Sequence, residues 1–312
     1  MSSPFPLLRL PRLVLFEVFK SLSIEEKIKL SFCSEKISTQ INSARLYSQK
    51  VRVDLDISRK KIRVCSEHNT NIFGCVYIGI SNDPDSQQYQ IGGLPVPVIP
   101  YTKGINACWK NHPKGFISAI RHLLKMFKCK ISTDISYYNS DVYQPMISEL
   151  FDLQLEFKTL TIRPKGSKDQ NLLFNQISSK FGLVEDLTIS ASFDRGFRPV
   201  FTSWPQKICI MRSDWFTLES LLTCTCTTIT LKYSLLENKD WEVILMKWKT
   251  GGFPSLKRLT IDSLRFTNNG EEILGMNLME LNGEVIKTDD GSKKATIRII
   301  GRNIEMSVTL SQ

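Results

Sequence analysis

The chain has 312 residues, 42% of them hydrophobic and 10% aromatic, a composition that can bury a sizeable core in one or two domains and excludes a disordered chain. Its net charge of +10 leans toward acidic partners, and no apolar run approaches the roughly 20 residues of an ordinary membrane span. Eight scattered cysteines, no Asn-x-Ser/Thr acceptor, and an N-terminus broken by Arg9 and Arg12 fit a reducing intracellular compartment, cytoplasm and/or nucleus, without a signal peptide.

The first predicted helix opens at Leu10-Pro11, because proline sits well at a first helical position where its missing N–H would have no partner. Leu13, Val14, Leu15, Phe16, Val18, Phe19 and Leu22 are apolar, against only Arg12, Glu17 and Lys20. A helix on one core needs a single apolar stripe. This one is apolar almost all round and so wants two partners. Ser23 is an N-cap with Glu26 at capping-box spacing, and the second helix carries Ile24, Ile28, Leu30 and Phe32. Ser34 caps a third, with Ile37 and Ile41 on one face. Three helices in about 40 residues make too small a core to stand alone.

The run Leu10-Pro11, Val14, Val18, Leu22, Ile28, Leu30-Ser31-Phe32-Cys33-Ser34 and Ile37 resembles an F-box. The opening FPLLRLP and the step LSFCS are similar to a large nematode family in particular. The resemblance implies that residues 1–46 pack into a Skp-type adaptor and through it a cullin. Leu8, Leu10, Pro11, Val14, Leu15, Val18, Leu22, Ile28 and Leu30 would supply the contacts. The same residues also suit a plain helical bundle's own core, and about half should serve both ends.

Beyond residue 46, Val51 to Ile57 alternates as a half-buried strand. The basic cluster Arg59 to Arg63 reads as a solvated turn, with nucleic-acid contact as the alternative; no zinc-finger spacing or aromatic platform accompanies it. Ile72 to Ile80 reads as a strand, and Ser81 to Pro100, rich in Gly and Pro, as a loop. Short apolar-x-apolar strands then recur at Ile131, Leu160, Leu187, Ile208, Ile229 and Leu259, three of them a literal Leu-Thr-Ile, at steps of 21 to 30 residues. Helix-period stripes lie between them: Phe116 to Phe127, Met146 to Phe151, Leu173 to Phe181, Trp215 to Leu222 and Trp241 to Trp248. Phe193 to Pro205 has none and should be loop. Strand-then-helix units of about this length stack into leucine-rich-repeat solenoids. The predicted fold is therefore α/β: a short N-terminal three-helix F-box, then over residues 47–312 an irregular leucine-rich-repeat-like solenoid of parallel strands with outer helices. Two alternating runs, Lys294 to Ile300 and Ile304 to Leu310, end it as a β-hairpin. A compact α/β domain with chance αβ units is the alternative.

Trp215 with Leu218 and Leu221-Leu222, Thr228 to Leu231, Trp241, Leu245, Trp248 to Leu256 and Leu259 to Ile261 are similar to the F-box-associated region of the second type, over about 181–262. With the F-box, this implies a non-catalytic substrate-recognition subunit of a cullin-based (SCF-type) ubiquitin ligase, bridging a Skp-type adaptor and a protein substrate whose identity membership does not give. Strand-lined positions Thr161, Thr188, Thr230 and Thr260 are candidate substrate contacts. A basic nucleic-acid-binding module without ligase role is the alternative function. No nucleophile elbow, P-loop or metalloprotease motif occurs. Cys224-x-Cys226 lacks a second pair to complete a zinc site, so neither cofactor nor metal is expected.

Overall fold

The computed structural model describes residues 7–44, 51–57, 59, 61–66, 72–79, 86–91, 94–101, 104–109, 112–136, 147–163, 174–190, 193, 199–268 and 270–311. Phe5 and Leu46, Met146, Leu173 and Asp194 to Arg198 of the readings above lie outside them. The chain divides into two compact units, Met1–Asp134 and Ile135–Gln312.

The first unit opens with a 3-10 turn at Leu7–Arg9 and three helices, α1 (Arg12–Ser21), α2 (Ile24–Cys33) and α3 (Glu35–Ser43). Pro11 is the N-cap of α1 rather than its first helical residue, and its carbonyl accepts the Leu15 N–H at 2.9 Å. The capping box of α2 forms in both directions. Ser23 Oγ accepts the Glu26 N–H at 3.2 Å, and Glu26 Oε2 accepts the Ser23 N–H at 2.8 Å. Ser34 stands at the N-cap of α3 without a side-chain cap bond. Leu15, Phe19, Ile24, Ile28, Phe32 and Ile41 bury the inner helix faces.

Six strands follow, β1 (Val51–Asp56), β2 (Lys61–Ser66), β3 (Ile72–Gly79), β4 (Gln87–Ile91), β5 (Leu94–Tyr101) and β6 (Gly104–Cys108). Then come α4 (His112–Phe127) and β7 (Ile131–Ser136). Their order is β7-β1-β2-β3-β6-β5-β4. Only β1–β7 and β3–β6 pair in parallel. This mostly antiparallel sheet departs from the parallel repeats expected from residue 47 onward. Ile131, read as the first repeat strand, pairs in parallel with Val53 of β1.

Two segments read as turn or loop are strands. Lys61 to Arg63 begin β2, so Lys61 faces Asp56 and Arg63 faces Asp54 across the ladder. Pro95, Pro97 and Pro100 lie within β5. Proline fixes a φ that an extended chain tolerates, and it pushes the residue before it toward the β region. The Pro-Val alternation therefore extends this segment, and Val96 and Val98 turn into the core.

On α4, Phe116, Ile120 and Leu123 are buried, with Ile117 beside them. Gly115 admits the Trp109 ring, since a Cβ there would lie 2.3 Å from it.

The second unit carries short helices α5 (147–152) and α6 (174–178), then α7 (Leu218–Leu222) and α8 (Asn238–Lys249). Its strands are β8 (Phe157–Arg163), β9 (Val184–Ile189), β10 (Lys207–Ile210), β11 (Thr228–Ser234), β12 (Arg258–Ser263), β13 (Val285–Lys287), β14 (Lys293–Ile300) and β15 (Asn303–Leu310). The order is β8-β9-β10-β11-β12-β15-β14-β13. Strands β8 to β12 pair in parallel in chain order.

The uneven sequence steps resolve into an even register. Leu160, Leu187, Ile208, Ile229 and Leu259 form one buried row, and Ile162, Ile189, Ile210, Leu231 and Ile261 the next. Over them α8 buries Trp241, Ile244, Leu245 and Trp248. The described residues 199–206 between β9 and β10 are loop, as expected. Phe201 and Trp204 there stack at 4.4 Å and join Phe174, Phe193, Trp215 and Phe216 in an aromatic cluster.

The C-terminal hairpin forms as β14 and β15, and β15 pairs antiparallel with β12. The fold is thus α/β: an N-terminal helical region, then mixed β-sheet.

Candidate binding surfaces

On α1, Leu15 and Phe19 stand one turn apart and face the core, which sets the opposite side outward. There Leu13 is 79% exposed and Val14 47%, with Leu8 of the preceding turn at 42%. Pro11 is exposed, and Leu10, Val18, Leu22 and Leu30 are half-buried. Leu15 and Ile28 are buried in the chain's own core. They support the strip from beneath rather than present themselves to a partner, because their faces of α1 and α2 are already packed.

Leu13 is absent from the contacts expected from sequence, although a wheel anchored on Leu15 and Phe19 would have turned it outward. The strip is rimmed by charge: Arg12 lies 5.2 Å over the Phe16 ring, and Lys20 pairs with Glu17 at 2.6 Å. Beside it, a cleft of about 540 Å³ is lined by Leu8, Leu15, Glu35, Lys36, Thr39 and Gln40.

Behind the strip, α2 is anchored to α4. The Phe32 ring stacks on His122 at 4.6 Å, and a His122 ring nitrogen hydrogen-bonds Ser31 Oγ at 2.9 Å. Burial, reinforced by the nearby Lys125 charge, holds the imidazole down at about 4. Burial likewise lowers the Lys27 ammonium.

Near the basic cluster, the carboxylates of β1 already have partners. Arg52 forks onto Asp54 at 2.6 and 3.0 Å, and Arg59 approaches Asp56 at 4.0 Å.

In the second unit, the ladder brings the four candidate threonines into one lateral row. Thr161 faces Thr188, Cys209 stands between Thr188 and Thr230, and Thr230 faces Thr260. All four are half-buried, on the side opposite the apolar rows. Sequence alternation located these positions. The same face also carries Asp186, Lys207, Lys232, Arg258 and Asp262, which the repeat reading did not single out.

Cys224 and Cys226 are buried, and the Cys226 thiol is pushed up by its hydrogen bond with Cys224 and by burial. Among the described residues, no group of three or more His, Cys, Asp or Glu could hold a metal ion, and no helix is long and apolar enough to cross a membrane.

Comparison with known proteins fits this division. A family model described as the F-box domain matches residues 7–49, which take in the 3-10 turn and α1 to α3. A second, F-box associated, matches residues 197–261, which take in β10 to β12 with α7 and α8. The chain is also similar to E3 ubiquitin-protein ligase hecw-1 of Caenorhabditis elegans, 23% identical over 310 residues. That match covers 88% of this chain but 24% of the relative, so the chain spans about a quarter of the relative's length. No solved structure matched. The exposed apolar strip lies within the first matched region and β10 to β12 build the second: the chain carries an F-box domain followed by an F-box associated region.

Proposed function

We propose that this chain is the substrate-recognition subunit of a cullin-based, SCF-type ubiquitin ligase. In this reading α1 docks a Skp-type adaptor, which links the chain to a cullin, and the strand-lined face of the second unit holds a protein substrate through positions that include Thr161, Thr188, Thr230 and Thr260. The F-box and the F-box associated region indicate a non-catalytic adaptor role in general; transfer of ubiquitin would be done elsewhere in the complex. A reducing compartment, cytoplasm or nucleus, suits the free thiols of the described cysteines. Within the second unit, the in-register parallel array β8 to β12 is read as leucine-rich-repeat-like, closed at its end by the hairpin.

The observation that carries the proposal is the strip of Leu8, Leu13 and Val14, left bare by a helix whose other side is already packed. Interfaces concentrate their energy in a few apolar anchors. The nucleic-acid alternative is weakened, because the basic cluster enters an ordered strand with Lys61 opposite Asp56 and Arg63 opposite Asp54.

Replacing Leu13 and Val14 together with Asp should weaken capture of a Skp-type adaptor by at least about 2 kcal/mol, roughly thirtyfold. The variant's melting temperature should hold, since both side chains already face water. Co-purification with the adaptor measures this, and undiminished capture would remove the proposal.

A further inference from the structure

The open face of the second unit's sheet has a chemical character that the Thr row alone does not give. Across seven strands, Thr161, Thr188, Cys209, Thr230, Thr260, Glu305 and Arg298 stand in one lateral row. Charged side chains flank it on the same face. Arg258 pairs with Glu305 at 2.7 Å and Arg302 with Asp262 at 2.6 Å, while Lys207 stands across the ladder from Asp186. Lys232 and Arg298 are exposed and make no ion pair among the described residues; the Glu305 that stands across the ladder from Arg298 is already taken by Arg258. The face therefore carries surplus positive charge.

At its far end lies an apolar cluster. Tyr233 is 52% exposed, Leu264 64% and Ile300 69%. They gather about Arg302: its guanidinium lies 5.5 Å over the Tyr233 ring, its carbonyl accepts the Ser263 N–H next to Leu264, and Ile300 precedes it in the β14–β15 turn. Lone exposed apolar residues are ordinary, but several side by side around a cation form a patch of the kind that marks an interaction site.

We infer that this face binds an acidic peptide segment carrying one large apolar residue, the acidic part over Lys232 and Arg298 and the apolar residue against Tyr233, Leu264 and Ile300. The inference rests on the reading of this sheet as the substrate-holding part of the chain, and it names the substrate's chemistry. Seven strands span roughly 29 Å, the reach of about nine extended residues. Charge complementarity selects the occupant: a neutral apolar segment leaves Lys232 and Arg298 unmatched, and a basic one is repelled.

The test uses the full chain and a fluorescein-labelled peptide of alternating Glu and Ala with a leucine near one end. A peptide with Lys in place of Glu and a single-stranded thymidine oligonucleotide serve as comparisons. The acidic peptide should bind, the basic one should not, and Lys232→Glu with Arg298→Glu should weaken binding by about tenfold or more. Lys232→Arg with Arg298→Lys should retain it, and Ile300→Asp should reduce it. Equal binding of the acidic and basic peptides, indifference to the charge reversal, or tighter binding of the oligonucleotide with the same dependence on Lys232 and Arg298 would overturn the inference. Capture of a Skp-type adaptor, measured on the same samples, should be unchanged by these variants. Peptide binding as described without any adaptor capture would bring down the ligase reading and uphold this surface.

Discussion

Trp241→Ala should cost the second unit about 3–5 kcal/mol, the range for truncating a buried large aromatic. Trp241 is fully buried near the start of α8, with Ile244, Leu245 and Trp248 completing the same face. Its ring meets Phe266 edge-on at 6.5 Å, so truncation opens a void that neither the helix nor the strands beneath can close. The helix itself is well begun. The Glu237 N–H donates to Asp240 Oδ2 at 2.8 Å, which completes a capping box. Its loss of stability would therefore come from packing. The Trp241 indole N–H has no hydrogen-bond partner among the described residues. Trp241→Phe should accordingly retain most of the stability, within about 1.5 kcal/mol. Denaturant unfolding of the two variants decides it, and an alanine variant within about 1 kcal/mol of wild type would contradict the described packing.

The second large effect is a dependence on acid. Burial holds the His122 imidazole down to about 4 in the folded chain, against its ordinary 6.5. Between those values the unfolded chain holds more protons than the native one, so stability must fall as pH falls through that window. It is fully present above pH 6.5, and the loss by pH 4 is at most about 3 kcal/mol, set by the width of the shift. The groups around the ring act in opposite senses: Lys125 pushes the proton off and Glu35 draws it on, while those two pair with each other at 3.1 Å. Protonation places a charge in the buried join between α2 and α4, where the ring stacks on Phe32 and its Nε2 meets Ser31. Melting followed from pH 7 to pH 4 should show a drop that His122→Phe flattens. An identical drop in the variant would place the acid sensitivity elsewhere.

What could be read from the sequence was local or periodic. The capping box at Ser23 and Glu26 needs only four residues, and it forms as expected. The Leu-Thr-Ile strands announce themselves by alternation, which also fixes which side chains share a face. The loops between them differ in length, so the steps looked irregular although the register is not. Contacts set by distant partners stayed hidden. The β2 strand is polar enough to pass for a turn until β1 supplies the opposite charges. The prolines of β5 looked like loop residues until Val96 and Val98 found a core. On α1, composition showed too much apolar surface but could not say which residues would be left outside. Leu13, the most exposed of them, emerged only once Leu15 and Phe19 had fixed the helix's rotation.

The antiparallel seam between β12 and β15 has a practical consequence. The matched F-box associated region stops at residue 261, inside β12. A protein fragment trimmed to that boundary would forfeit the ladder from Arg258–Ser307 to Asp262–Asn303, and with it the covering of a flat, hydrogen-bond-hungry border. It would also start after β9, which leaves β10 without its other neighbour. Such a piece would be sticky on both flanks, so the shortest workable expression product for this region has to run on through Leu310.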